Sequence, residues 1–68
     1  MDYISRKVNA KVDWARSNGY FIKIYDDVYS PSDASDVLDR AARRYADKYP
    51  YNDIDDFFDN YVSYVKED

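Results

Sequence analysis

The chain has 68 residues, no Cys and no His, and its 14 acids outnumber its 10 Lys and Arg residues for a net charge of −4. Length allows one domain, 1–68, and the missing residue types exclude a disulfide staple, a Cys/His zinc site and His-based acid–base or nucleophilic catalysis. The apolar share of 46% is too high for a disordered tail, and 13 aromatics, nine of them Tyr, stand where a small domain needs large buried area.

The first predicted element is a helix over about residues 2–17. Ile4, Val8, Val12 and Ala15 recur at helical spacing, and Asn18-Gly19 supplies a stop because Gly accepts the left-handed conformation. A second stripe, Tyr3, Ala10 and Trp14, is set off from the first by Lys7 and Lys11. Lys11 lies three residues before Trp14, a spacing that permits cation–π stacking. Tyr3, Lys7, Lys11 and Trp14 thus form one candidate contact patch, set against the alternative that a small fold buries Trp14 and lets the Lys stems snorkel.

Tyr20–Tyr25 reads as a strand, with Ile22 and Ile24 on one face and Lys23 on the other. Asp26-Asp27 reads as the turn and Val28-Tyr29 as a short return strand, so the expectation is a small hairpin or pairing with another chain. Ser30-Pro31 opens the second helix as cap and first-turn proline. Ala34, Val37, Leu38, Ala41, Ala42, Tyr45 and Tyr49 share one face. Asp36 with Arg40, Asp39 with Arg43 and Arg43 with Asp47 alternate on the opposite face, and Pro50 ends the element.

A third helix is predicted over 53–66. Ile54, Phe57, Phe58, Tyr61, Val62, Tyr64 and Val65 fall on one arc, and Asp55, Asp56, Asp59, Asn60, Ser63, Lys66 and Glu67 on the other. The fold class expected is therefore mainly α: three helices with a short extended or hairpin segment between the first two. Its core is expected to hold Ile4, Val8, Val12, Ile22, Ile24, Val37, Leu38, Ala41, Tyr45, Ile54, Phe57, Phe58, Tyr61, Val62 and Val65.

Charge is unevenly spread, at +3 over residues 1–25 and −5 over 50–68. The Asp run 53–59 lacks the turn Gly and distal Glu of a calcium loop. Two acids on one solvated helix face also cannot divide acid and base roles. A better reading is a ridge of negative charge, Asp55, Asp56, Asp59 and Glu67, extended by Asp26, Asp27 and Asp68. Its spacing of roughly 5–6 Å resembles the phosphate spacing of a nucleic-acid strand. The alternative is an ordinary solvated surface.

The functional expectation is a non-enzymatic binding protein without cofactor or metal, an inhibitor or adaptor whose acidic face enters a basic groove on a larger protein. In size, acidity and Asp/Tyr richness the chain is similar to the compact inhibitor and accessory proteins of mobile elements, a likeness of composition alone. Alternatives are a homodimeric structural module paired through its strand, and a small nucleic-acid-binding regulator using the basic first helix. Direct nucleic-acid contact is disfavoured by the overall acidity. No apolar run approaches the roughly 20 residues of a membrane span, and the start of the chain lacks a secretory pattern, so a cytoplasmic location is the expectation.

Overall fold

The computed structural model describes residues 2–66. Three helices, α1 (Tyr3–Asn18), α2 (Pro31–Lys48) and α3 (Ile54–Tyr61), are joined to three strands, β1 (Tyr20–Ile24), β2 (Asp27–Tyr29) and β3 (Val62–Lys66). The strands form one antiparallel sheet in the order β2-β1-β3.

Each helix start follows from its cap. The Asp2 carboxylate accepts from the Ser5 N–H at 2.8 Å and opens α1. Ser30 Oγ accepts from the Asp33 N–H ahead of Pro31 and opens α2, and Asp53 accepts from the Asp55 N–H to open α3. Each cap satisfies an amide that the helix itself leaves unpaired. Gly19, at φ +74°, closes α1 by donating its N–H to the Ala15 carbonyl.

Residues 53–66 are not one helix. The helix stops at Tyr61, and Val62–Lys66 turns extended to pair with β1, Ile24 opposite Val62 and Tyr20 opposite Lys66. The reason is twofold. Val62, Tyr64 and Val65 have high strand propensity, and β1 carries a ladder of amides and carbonyls that must find partners when its face is buried. The expectation that β1 had at best β2 to pair with is corrected in the same way: β1 is the central strand. The β1–β2 hairpin forms as expected, but its turn is Tyr25-Asp26, and Asp27 already belongs to β2.

Ile22 and Ile24 point from the sheet into the core, where Val8, Val12, Ala15, Ala34, Leu38, Ala42, Tyr45, Phe57, Phe58 and Val62 join them. Ile4, Val37, Ala41 and Ile54 pack at its margin, and Val65 is half-buried. Ala15, Ala34 and Ala42 are wholly buried, small residues in the core between α1, α2 and the sheet. Tyr61 is the expected core residue that the structure places elsewhere: it ends α3 at the margin of the core, 45% exposed, with its ring against Tyr25, Tyr45 and Phe57.

Candidate partner-binding surfaces

The acidic ridge is divided by the fold. Asp55 turns toward α1, where it accepts a 2.7 Å hydrogen bond from the Tyr3 hydroxyl and lies 3.6 Å from Lys7 Nζ. The carboxylate beside it holds the Tyr3 phenol above its ordinary pKa, since ionising the phenol would lose that bond and add a like charge. Two residues of one candidate surface thus bind a residue of the other, and all three serve as an α1–α3 tie. Asp56 and Asp59 remain exposed on α3. Asp59 shares a cleft of about 460 Å³ with Asp26 from the hairpin turn, along with Lys23, Tyr25, Asn60, Tyr61, Val62 and Ser63. Asp27 stands apart in another cleft with Arg40 and Arg44. Glu67 and Asp68 lie outside the described residues.

The stripe on α1 is likewise drawn inward. Trp14 packs on Tyr64 at 4.4 Å and Tyr20 at 5.2 Å between ring centroids, leaving it 44% exposed. Lys11 lies over Tyr64 rather than Trp14, at 5.5 Å, and Lys7 over Phe58 at 5.7 Å. The expected Lys11–Trp14 pairing is replaced because β3, absent from the helical reading, brings Tyr64 beneath the lysine. Burial pushes the Tyr64 phenol up as well.

A surface not foreseen lies at the other end of the sheet. Tyr25, at the tip of the hairpin, meets Tyr61 at 5.3 Å and Phe57 at 5.9 Å, and Tyr45 packs against Tyr49, Phe57 and Tyr61. The Tyr25 N–H donates to the Tyr61 carbonyl at 2.9 Å, fastening the turn to the end of α3. Tyr45 is buried and its hydroxyl accepts from Asn52. Tyr25, Tyr49 and Tyr61 are 50%, 42% and 45% exposed. Together with Arg44 and Lys48 these four tyrosines line a cleft of about 340 Å³. Tyr25 is also the one described non-glycine residue at positive φ, +54°, a conformation costing a side-chain-bearing residue roughly 1–2 kcal/mol. The signals in the sequence were the tyrosines themselves, but their convergence depends on the α3–β3 turn.

α2 presents a further pattern. Arg43 is tied to Asp39, Asp2 and Ser5 Oγ; the Asp39 and Asp2 carboxylates raise its pKa, and the Ser5 amide followed by Arg43 lowers that of Asp2. Arg40 gives its Nε–H to the Asp36 backbone carbonyl, not to the carboxylate expected at that spacing. Arg40, Arg44 and Lys48 therefore run as a cationic row, four residues apart, beside the hairpin tip.

Among the described residues no group of three or more His, Cys, Asp or Glu is arranged to hold a metal, and no helix is long and apolar enough to cross a membrane. No protein-family model matches the chain, and no curated protein or solved structure shows detectable similarity to it.

Proposed function

We propose that this chain is a non-enzymatic binding protein that inhibits or adapts a larger protein, and that its contact surface is the tyrosine end of the molecule flanked by Asp26 and Asp59. The observation that carries this is the exposed Tyr25–Tyr61 pair, held by a strained backbone at the hairpin tip. Backbone strain is tolerated where the surroundings enforce it, and such positions concentrate at functional sites. Tyrosine with arginine nearby is also the composition of interface hot spots. The acidic residues alongside would steer a basic partner groove toward the rings.

Two further features support this reading over its rivals. Three of the four cations of α1 are engaged within the fold, Lys7 with Asp55 and Phe58, Lys11 with Tyr64 and Arg16 with Asp13, which weakens a nucleic-acid contact through that helix. The resolved pKa shifts carry Asp2 down to about 2 and Arg43 and the Tyr3 and Tyr64 phenols upward. Each moves away from neutrality, opposite to the tuning that a general acid or base needs.

The test is side-by-side affinity capture from the source cells with three baits: wild type, Tyr25→Ala/Tyr61→Ala, and Trp14→Ala. One protein retained in stoichiometric amount by wild type and by the Trp14 variant, and lost with the tyrosine variant, is the expected result. Retention by the tyrosine variant, or loss only with Trp14→Ala, would move the contact surface to α1.

A further inference from the structure

The Tyr25–Tyr61 pair, its rings 5.3 Å apart, is a wall between two clefts, since both residues line each of them. On the α2 side stand Arg44 and Lys48, and on the hairpin side stand Asp26 and Asp59, with Lys23 offsetting one of these acids. Arg44, Lys48, Asp26 and Asp59 form no salt bridge among the described residues. Like charges four apart on a helix cost stability, and Arg44 with Lys48 is such a pair. The face is therefore net positive on one flank, where Arg40, Arg44 and Lys48 outnumber Asp27, aromatic along its middle and net negative on the other flank.

We infer that this face binds a second copy of the chain, with the two-fold axis running along the Tyr25–Tyr61 wall. An isologous contact brings a patch against itself, so the patch must be self-complementary. A patch of one sign would repel its copy. Here a two-fold rotation lays the Arg44/Lys48 flank of each copy on the Asp26/Asp59 flank of the other, satisfying both pairs twice, while the exposed tyrosines cover one another. The inference rests on the reading of this end as the contact surface and adds a regulatory consequence: in the free protein the surface is occupied by its own copy, and a partner competes with that copy for the same rings.

Two charge-reversed variants test it. Arg44→Glu/Lys48→Glu makes both flanks negative, and Asp26→Lys/Asp59→Lys makes both positive. Sedimentation equilibrium over a wide concentration range is expected to show a monomer–dimer equilibrium for the wild type that weakens as salt rises. Each variant alone is expected to be monomeric, and their equimolar mixture is expected to form a heterodimer, because the reversed flanks then match on both sides. Circular dichroism melts establish that the variants are folded. Should a reversed variant fail to fold, the neutral pairs Arg44→Gln/Lys48→Gln and Asp26→Asn/Asp59→Asn replace it, each expected to weaken the dimer by roughly tenfold. A wild-type monomer at every concentration overturns the inference, as does a dimer that none of these variants weakens or a mixture of folded variants that stays monomeric. Any of these results leaves the partner-binding reading intact, because that reading is decided by capture with the tyrosine variant.

Discussion

Tyr25 holds a left-handed backbone conformation with a bulky side chain in it. Its ring contacts with Phe57 and Tyr61 and its amide bond to the Tyr61 carbonyl hold it there. Asn tolerates that conformation better than Tyr does. Tyr25→Asn is thus expected to keep stability within about 1 kcal/mol of wild type, strain relief offsetting lost ring contacts, while removing half of the wall. Denaturant unfolding measures the first and sedimentation the second. Gly19 is the complementary case: a Cβ there would meet nothing within 4 Å, yet φ is +74°, so Gly19→Ala is expected to cost about 1 kcal/mol through the backbone alone.

Asp2 adds a pH dependence at the same scale. The Ser5 amide, together with Arg43, lowers its pKa from 3.8 to about 2. A depressed carboxylate contributes stability that is present above pH 3.8 and lost as pH falls toward 2. Asp2→Asn is expected to lower the melting temperature at neutral pH, with the gap to wild type closing across that window. A gap that stays constant from pH 5 to about 2 would show that the carboxylate's charge does not matter.

Among the elements, those with terminal chemistry in their own residues were legible in the sequence. Ser30-Pro31 marks the start of α2 and Asn18-Gly19 the end of α1, each acting within one turn. β3 was not legible, because its residues satisfy two periods at once. Tyr61, Val62, Tyr64 and Val65 continue the helical arc of Ile54, Phe57 and Phe58, yet Val62 and Tyr64, with Ser63 between them, also alternate as a strand does. What decides between the two is the unpaired ladder of β1, some 40 residues earlier, which no local window contains. The return of β3 along β1 also brings the end of α3 to the hairpin tip, a long-range contact that hid the tyrosine surface.

Phe57, fully buried and surrounded by Tyr25, Tyr45, Phe58 and Tyr61, is the largest test of element packing. Phe57→Ala is expected to cost about 3–5 kcal/mol, comparable to the whole stability of a domain this small. Loss of the cooperative thermal transition is the expected readout, and a melt close to wild type would contradict the packing of α3 on α2 and the hairpin turn.

Taken as a whole, the molecule divides its carboxylates into those that hold it together and those that face outward. Asp55 belongs to the first group through Tyr3 and Lys7, whereas Asp56 and Asp59 have no salt bridge among the described residues. The acidic ridge that the sequence presents as one surface is thus expected to split by mutation. Asp55→Asn should lower the melting temperature, whereas Asp56→Asn/Asp59→Asn should leave it equal or slightly higher, since exposed like charges on one helix repel. For the partner, the double variant is expected to slow association and flatten its salt dependence while leaving dissociation nearly unchanged. Equal melting temperatures for Asp55→Asn and wild type would remove the α1–α3 tie from the account.

The strand order β2-β1-β3 also governs how the chain can mature as it is made. β1 gains β2 almost at once, but its other edge stays open until Val62–Lys66 has been synthesised. At about 5–20 residues per second that interval lasts roughly two to eight seconds. During it the nascent chain carries Ile22 and Ile24 with half of their ladder unpaired, the kind of edge that recruits other chains. Closure of the sheet therefore waits for Val62–Lys66: a ribosome that stalls after α2 leaves α1, the β1–β2 hairpin and α2 without the closing strand. Such truncated products are expected to be cleared or to aggregate rather than to persist as a smaller working version of the protein.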